Sequence, residues 1–317
     1  METLRVAAVQ TAPVWMNRAA TIEKVVGLIQ EAGHEGAQVI AFSETLIPGY
    51  PWWTAADDLR LAAGAQTSAR QAWYLREAVD IEGGDLDPVV AAAAEAGCFV
   101  SVGVAELAPT GGSVYCSMVM IAPDAGIVGV HRKLKPTYTE RVAWADGDGH
   151  GLRVHEWNGW KIGGLNCWEN WLPLPRFTLY SQGEQLHIAS WPGFSFNTSD
   201  NITGFIAKEA GIYAVSTSGL IRPDVIPDDF PGADELIEGI TEGRRPMGDG
   251  GSVICGPTGR VIVAADLGRE QIIYADLDLD AVGATRLMRD QGGHYHRPDV
   301  FDLTVDRTRR VPVTYED

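Results

Sequence analysis

The sequence predicts an α/β fold in which one mixed sheet, or two sheets, are covered by helices. Three patterns support this prediction: apolar runs of strand length, helix-length stretches that alternate with them, and hairpins with Gly-containing turns. Alternating strands and helices are typical of βα units, whereas hairpins add antiparallel strand pairs. No linker, low-complexity tract or charge block divides the 317 residues. We therefore expect one domain that spans residues 1–317.

The first part of the chain alternates between strand and helix patterns. Asn17 is expected to cap a helix that runs to about residue 32 and ends at Gly33. An Ala-rich helix is expected at 87–96, with Pro88 in its first turn, where proline is tolerated. The strand patterns of this part cover residues 4–11, 39–44, 98–107 and 114–123, and the turn IPGYP follows the second of them.

The second part is rich in hairpins. The tip Asn158-Gly159 is a strong signal for a two-residue hairpin turn. The three predicted hairpins cover residues 122–134, 153–167 and 252–267. Helices are expected at 173–183 and 201–211, strands at 186–192, 213–220 and 272–279, and loops at 221–232 and 243–251. The tail after residue 290 has weak periodicity.

Composition excludes several classes of protein. The formal net charge of −17 argues against a nucleic-acid binder, which needs lysine and arginine to contact phosphates. The chain contains no apolar stretch of membrane-spanning length, and its N-terminus resembles a strand rather than a signal peptide. Its four cysteines form no CxxC pair, so neither a zinc site nor a disulfide framework is indicated. Three of them lie within apolar strand patterns and are expected to be ordinary core residues: Cys98, Cys116 and Cys255. A reducing cytoplasm is the expected compartment.

Three positions have the features of a chemical site. Cys167 follows a Gly-rich strand and precedes a predicted helix, whose N-terminus would lower the thiol pKa and offer N–H groups to an oxyanion. Glu44 closes an apolar strand, where burial of a carboxylate is costly unless it is paired. Lys133 lies in the segment HRKLKPT. Taken singly, each has an ordinary alternative: a buried core cysteine, a strand-end carboxylate in solvent, and a solvated basic patch.

Together, these motifs resemble the carbon–nitrogen hydrolase (nitrilase) superfamily. The extended matches ETLIPGYPWW, HRKLKPTYTERVAWADGDG and CWENWLPLPRFTLYSQGEQLHIASWPG resemble its nitrilase branch rather than its amidase branches. The resemblance runs to about residue 303, which leaves 304–317 as a C-terminal tail. It implies a four-layer αββα sandwich in which two sheets pack face to face.

The resemblance also implies roles for individual residues. Cys167 would be the nucleophile, Glu44 the general base and Lys133 the charged stabiliser of developing negative charge. Glu140, in TYTER, would be a second carboxylate near the site; its alternative is a surface partner for Arg141. Such a thiol–carboxylate–ammonium mechanism requires no metal and no organic cofactor.

Aromatic residues around these motifs are candidates for the substrate pocket. They are Tyr50, Trp52, Trp53, Trp168 and Trp191. The alternative for this group is an aromatic core. The histidines offer no spacing to Cys167 that indicates a Cys–His dyad, and His155-Glu156 lacks the second histidine of a zinc-binding HExxH motif.

The expected activity is hydrolysis of a small nitrile, with water, to a carboxylic acid and ammonia through a thioimidate and a thioester. The alternatives are an amidase or carbamoyl hydrolase, a cyanide-hydrolysing enzyme, and a binding protein with an inactive site. A nucleotide-binding oxidoreductase lacks support because no GxGxxG follows the first strand. Which nitrile is used stays open. The resemblance also implies a homodimer or a larger homo-oligomer, although the short tail makes large spiral assemblies doubtful.

Overall fold

Two six-stranded mixed sheets organise the protein in the computed structural model, which describes residues 3–55, 65–193, 200–242, 248–311 and 313. In spatial order, sheet one contains β14 (Gln271–Asp278), β1 (Thr3–Gln10), β2 (Val39–Ala41), β3 (Phe99–Leu107), β4 (Val114–Ala122) and β5 (Gly126–Arg132). Sheet two contains β13 (Val261–Ala264), β12 (Val253–Cys255), β9 (Tyr213–Ser218), β8 (Leu186–Trp191), β7 (Trp160–Asn166) and β6 (His155–Trp157). A small third sheet pairs β10 (Leu220–Ile221) with β11 (Gly248–Asp249).

Helices follow the strands as crossover connections or lie at the ends of the sheets. They are α1 (Arg18–His34), α2 (Ala65–Glu77), α3 (Asp87–Ala96), α4 (Pro173–Tyr180), α5 (Asp200–Ala210), α6 (Ala233–Thr241) and α7 (Leu279–Arg286). The central strands β1, β2 and β3 run parallel, as do β7, β8 and β9, while the outer strands pair antiparallel. The carboxyl ends of β2 and β7, from which Glu44 and Cys167 continue, therefore come from the parallel centres of two different sheets.

The sheets pack face to face, with helices on their outer faces. Strand β1 shows the pattern: Leu4, Val6 and Ala8 face the core between the sheets, whereas Ala7 and Val9 face the helices. Because both faces are covered, the strand is almost continuously apolar. Helices α1 and α3 cover sheet one, and α4 and α5 cover sheet two. The fold is the αββα sandwich that the sequence resemblance implies, so that prediction is confirmed.

Most predicted elements are present, with small shifts in their ends. Asn17 caps α1 by accepting a hydrogen bond from the Ala20 N–H at 3.0 Å. The hairpin tip at Asn158 and Gly159 has both residues at positive φ, 49° and 75°, as the predicted turn requires. The other two hairpins are also formed, as the antiparallel pairs β4–β5 and β12–β13.

The predicted strand 39–44 is wrong at its end. Strand β2 stops at Ala41, because the Phe42 N–H still bonds to the Ser101 carbonyl of sheet one but the Glu44 N–H bonds to the Trp191 carbonyl of sheet two. The chain thus leaves one sheet and reaches the other within three residues. The sequence also did not predict α2, α6 or α7. Strand β11 lies in the predicted loop 243–251, and β10 spans the boundary between the predicted strand 213–220 and the predicted loop 221–232. Residues 243–247 of the predicted loop 243–251 lie outside the described residues.

No helix in the described part of the chain combines the length and the apolar character needed to cross a membrane.

Candidate active site

Cys167 lies at a sharp bend immediately after β7. Its φ is +46°, a conformation that non-glycine residues seldom adopt, and it opens a 3-10 turn over Cys167–Trp171. Strained residues of this kind concentrate at functional sites because the surrounding structure must hold them there. The helix predicted from residue 173 does begin at Pro173, so the element next to the thiol is this short turn.

Hydrogen bonds from the buried side-chain amide of Asn170 hold the bend in place. Asn170 Nδ2 donates to the Cys167 carbonyl at 3.0 Å and to the Leu165 carbonyl at 3.1 Å. The Asn170 Oδ1 atom lies 2.8 Å from His187 Nε2, and His187 Nδ1 lies 2.9 Å from Glu184 Oε1. A chain of fully buried polar groups therefore fixes the amide and, through it, the backbone of the bend.

Glu44 is brought to the same place by a turn that crosses between the sheets. Its side chain has no exposed surface. The turn lies directly on β3, where a Cβ at Gly103 would stand 2.2 Å from the Ser43 carbonyl oxygen and 2.5 Å from the Thr45 nitrogen. Only glycine permits this approach. The predicted catalytic carboxylate thus depends on a glycine of a neighbouring strand.

Lys133 bridges two carboxylates. Its Nζ atom donates to Glu44 Oε1 at 2.8 Å and to Glu140 Oε2 at 2.7 Å, with no exposed surface on the lysine side chain. Glu140 is buried rather than a surface partner of Arg141. Carboxylate oxygens of Glu44 and Glu140 and the Cys167 sulfur lie within 4.8 Å of one another. The structure brings all four residues together at one point between the sheets.

The two carboxylates have different hydrogen-bond partners. Glu140 accepts from Lys133, from the Thr137 N–H at 2.6 Å and from the Tyr50 hydroxyl at 2.9 Å, so both of its oxygens are bound. Glu44 accepts only through Oε1, and its Oε2 has no hydrogen-bond partner among the described residues. Within this pair, Glu44 Oε2 is therefore the oxygen that has no hydrogen-bond donor among the described residues and can take up a proton.

The charges at the site follow from its burial. Burial raises the pKa of Glu44 to about 7, and the neighbouring Lys133 only partly offsets this. Burial likewise raises the pKa of the Cys167 thiol well above its usual value, more than Lys133 lowers it. The expectation of a thiol pKa lowered by a helix N-terminus is therefore wrong. For Lys133, burial acts to lower the pKa, but the charges of Cys167, Glu140 and Glu44 outweigh it and raise the pKa.

Before substrate binds, the Cys167 thiol is therefore protonated, the Lys133 side chain is charged, and the Glu44 carboxylate titrates near neutral pH. Such a thiol needs a base within reach before it can attack a substrate, and Glu44 lies within that reach. A divalent metal ion at the Glu44, Glu140 and Cys167 donor atoms would meet the Lys133 ammonium, which already contacts both carboxylates. The arrangement suits nucleophilic catalysis by a thiol with a carboxylate base and a fixed positive charge.

Comparison with known families agrees with this geometry. A model of the carbon–nitrogen hydrolase family matches residues 5–287 of the chain. The chain belongs to this family. A relative named Nitrilase 2, from an unknown prokaryotic organism, is 40% identical over 97% of this chain and 94% of its own length.

Other relatives of this carbon–nitrogen hydrolase are also nitrilases. An aliphatic nitrilase of Rhodococcus rhodochrous is 35% identical over 98% of this chain and 85% of its own length. An aliphatic nitrilase of Sinorhizobium fredii (strain HH103) is 36% identical over 99% of both chains. These likenesses place the chain in the nitrilase branch that the motifs indicated.

Solved structures share the fold. A carbon–nitrogen hydrolase from Helicobacter pylori G27 has a TM-score of 0.69 at 20% identity, over 94% of this chain and 97% of the other. A member of branch 10 of the nitrilase superfamily from Saccharomyces cerevisiae has a TM-score of 0.71 at 16% identity, over 95% and 97%.

The aromatic candidates of this carbon–nitrogen hydrolase are placed in different surroundings. Tyr50 and Trp52 line a narrow cleft beside Glu44. Trp53 has no exposed surface and packs edge-on against Tyr74 at 5.1 Å, which favours the core interpretation for this residue. The remaining two differ in exposure: the side chain of Trp191 is fully buried at the end of β8, whereas Trp168, beside the nucleophile, is 45% exposed.

A carboxylate that the sequence did not single out connects the two halves of the site. Glu169 accepts hydrogen bonds from the Leu134 N–H at 2.7 Å and from the Asn166 N–H at 3.0 Å, and its Oε2 lies 3.0 Å from His131 Nε2. It therefore joins the segment that follows Lys133 to the bend that carries the thiol. Its place two residues after the cysteine, where a turn residue normally faces solvent, gave no signal of this contact.

A second thiol also lies at the site. Cys116 on β4, interpreted from sequence as an ordinary strand residue, donates its S–H to Glu44 Oε1 at 3.2 Å. Its carbonyl oxygen accepts the Lys133 N–H at 2.7 Å. The register between β4 and β5 explains why the sequence did not indicate the contact between Cys116 and Lys133. Without the bulge opposite Met120 and Ile121, Cys116 would pair with Arg132 rather than with Lys133.

Proposed function

We propose that the protein is a nitrilase that converts an organic nitrile and water to a carboxylic acid and ammonia. The observation that carries this proposal is the buried group of thiol, ammonium and two carboxylates, in which Glu44 Oε2 has no hydrogen-bond partner within the described part of the chain. The nitrilases at 32–40% identity over nearly the whole chain support it. The substrate is therefore a small nitrile, and the bond broken is a carbon–nitrogen bond other than a peptide bond.

The first step joins the Cys167 sulfur to the nitrile carbon. Glu44 takes the thiol proton as the sulfur attacks, because the thiol is protonated at rest. The nitrile nitrogen gains this proton and becomes the nitrogen of a thioimidate. Lys133 lies close enough to both carboxylates to stay charged, and its positive charge stabilises the negative charge that develops on nitrogen.

The second half of the reaction uses two water molecules. Glu44 takes a proton from the first water as this water adds to the thioimidate, and returns it to the nitrogen of the tetrahedral intermediate, which expels ammonia to leave a thioester on Cys167. The second water, deprotonated by Glu44, attacks the thioester and releases the acid and the thiol. Glu140 holds Lys133 in place through a 2.7 Å contact and keeps it charged throughout. Each proton that leaves the thiol or a water thus has a defined acceptor.

We place the remainder of the nitrile beside Glu44, on the side of a narrow cleft. Tyr50 and Trp52 line this cleft, and we assign them to substrate binding together with Trp168, which follows the nucleophile. Trp191 is fully buried and supports the Glu44 turn, because its carbonyl oxygen accepts the Glu44 N–H. Trp53 supports the pocket from the core rather than contacting substrate. The apolar lining favours a nitrile with an uncharged side chain.

A matched nitrile and amide pair tests the proposed activity. Ammonia, acid and amide are quantified for the wild type and for Cys167→Ala, which removes only the sulfur. We expect the wild type to turn over the nitrile faster than the amide, and the variant to release no product from either. Faster turnover of the amide across a panel of pairs would instead assign the protein as an amidase. Turnover by Cys167→Ala would exclude the covalent mechanism.

We also propose that the protein forms a homodimer through the outer face of sheet two. Five large apolar side chains there are between 39% and 61% exposed: Trp168, Trp171, Leu172, Leu174 and Phe205. Trp168 and Trp171 lie 6.0 Å apart between ring centres, and exposed large apolar side chains grouped in this way mark an interaction surface. Size-exclusion chromatography with light scattering should give a dimer for the wild type and a monomer for Leu174→Glu. A wild-type monomer at micromolar concentration would contradict this.

A single domain over residues 1–317 and a cytoplasmic location complete the proposal. Both sheets contribute residues to one site, which supports a single domain. The buried thiols of Cys98, Cys116 and Cys167, none of them in a disulfide, support a reducing compartment.

A further inference from the structure

Cys116 touches the proposed machinery at two points but has no role in the mechanism described above. Its carbonyl oxygen accepts the Lys133 N–H, and its thiol donates to the Oε1 atom of Glu44. The side chain is 1% exposed, so no water competes for either contact. One residue of β4 therefore fixes both the chain that carries the ammonium and the carboxylate that faces it.

The two donors of Glu44 converge on the same oxygen. Lys133 and Cys116 both bind Oε1, at 2.8 Å and 3.2 Å, and Oε2 has no partner among the described residues. With Oε1 occupied twice, a proton added to Glu44 goes to Oε2. The orientation of the carboxylate therefore decides which oxygen serves as the base.

We propose that Cys116 is a positioning residue, which holds Glu44 Oε1 towards Lys133 so that Oε2 is the oxygen that receives the Cys167 proton. This inference rests on the proposed function. It adds that the S–H of Cys116 favours the charged form of Glu44 and so sets the pH at which the base is ready. Loss of this donor would make Glu44 harder to deprotonate.

Other charged and titratable groups face Glu44 and bear on this pH. They are Lys133, Glu140, Cys167, Tyr50 and Tyr74. All of them are unchanged in a Cys116 variant, so a displaced titration reports the lost donor. A neutral hydrogen bond of ordinary strength corresponds to about 0.5 to 1 pH unit.

The test compares variants with matched volume and burial. Cys116→Ala removes the donor, Cys116→Val fills the volume of the thiol without a donor, and Cys116→Ser restores an O–H. Cys98→Ala is the control, because Cys98 is also a fully buried thiol that donates to an oxygen, the Ala37 carbonyl at 3.0 Å, away from the site. The pH dependence of kcat/KM for a nitrile is measured for each variant.

We expect the acid limb to move to higher pH by about 0.5 to 1 unit in Cys116→Ala and Cys116→Val. It should return towards the wild-type position in Cys116→Ser and stay there in Cys98→Ala. A limb unchanged in the Ala and Val variants, or equally displaced in the Ser variant, would overturn the proposal. If one donor-free variant fails to fold, the other gives the same comparison.

A second measurement separates this inference from the choice of substrate. The rate at which iodoacetamide modifies Cys167 is followed against pH by peptide mass spectrometry, which requires no turnover. If the protein proved inactive on nitriles, this rate would still show the displaced limb in the donor-free variants. An undisplaced alkylation limb in those variants would overturn the role of Cys116 even in an enzyme that hydrolyses nitriles.

Discussion

The ammonium of Lys133 lies 2.8 Å from Oε1 of Glu44, and neither side chain has any solvent-exposed surface. A charge pair in such surroundings depends on both members, because removal of one leaves the other buried and uncompensated. Glu140 is the second carboxylate on the same ammonium. The three side chains thus form one unit, and the predictions below test its members separately.

Removal of either member of the pair should abolish most of the activity. Glu44→Gln keeps the shape and removes the base, while Lys133→Met keeps the stem and removes the charge. We expect kcat/KM to fall by at least about 100-fold in each, in line with single acid–base and electrostatic contributions. Circular dichroism checks that the variants fold. A folded variant with near-normal rates would leave that residue with a structural role only.

The rate should depend on pH through Glu44. Burial raises the pKa of this group to about 7, and the base must be ionised to accept the thiol proton. Activity is therefore low below neutrality and rises as the pH increases through about 7, giving an acid limb in kcat/KM. A limb near the ordinary carboxyl value of about 4.3 would show that Glu44 is not the titrating base.

Loss of the hydrogen bond from Tyr50 to Glu140 should lower the rate. Tyr50→Phe removes the hydroxyl that donates to Glu140 Oε1 at 2.9 Å and leaves the ring in place. One hydrogen bond corresponds to roughly a 2- to 12-fold effect on an equilibrium, so we expect a fall of this size in kcat. Glu140→Gln should lower the rate further, since it also removes the charge beside Lys133. If Tyr50→Phe lowered kcat more than Glu140→Gln does, the Tyr50 hydroxyl would act in the reaction independently of Glu140.

The link between the two halves of the site should contribute to stability. Glu169→Gln replaces an oxygen with an NH2 group, which cannot accept from both the Leu134 and Asn166 N–H groups. An unsatisfied buried donor costs about 1 to 3 kcal/mol, so the free energy of unfolding should fall by that amount. Glu156→Gln is the control, because its ion pair with Lys161 is solvent-exposed and contributes about 0 to 1 kcal/mol. Equal denaturation midpoints for the two variants would contradict the assignment.

Much of the fold could be predicted because its strands and hairpins have simple local signals. The Asn158-Gly159 tip and the Asn17 cap are examples in which a residue type and a backbone conformation correspond directly. Helix α2 has no such signal. Its buried face includes Thr67, Arg70 and Tyr74, so no apolar stripe identifies it.

The members of the site could be named from motifs, but their contacts could not. Glu44 reaches the site because the chain leaves sheet one after Ala41, and Lys133 comes opposite Cys116 because a bulge in β5 shifts the β4–β5 register by one residue. Both events are tertiary: a close approach over Gly103 permits the first, and an extra residue in the partner strand causes the second. Local sequence patterns therefore identify the residues of the site but not the contacts that distinguish the base, Glu44, from a supporting residue such as Cys116.

The last prediction concerns the ratio of acid to amide, which depends on a branch point. After water adds to the thioimidate, the tetrahedral intermediate can expel ammonia, leaving a thioester and then acid, or expel the Cys167 thiol, leaving a free amide. Ammonia leaves only if its nitrogen is protonated, so the positive charge near Lys133 and the proton held by Glu44 control the choice.

We therefore expect mainly acid from simple nitriles, with a minor amide fraction. That fraction should rise with electron-withdrawing substituents, which make the nitrogen harder to protonate. It should also rise in Glu140→Gln, because this change removes a negative charge beside Lys133 and makes the nitrogen of the intermediate harder to protonate. Acid and amide are quantified together at early times, with the free amide supplied separately to show that it is not consumed on the same time scale. If the amide fraction changed neither with the substituent nor in Glu140→Gln, other groups in the pocket would control which group leaves.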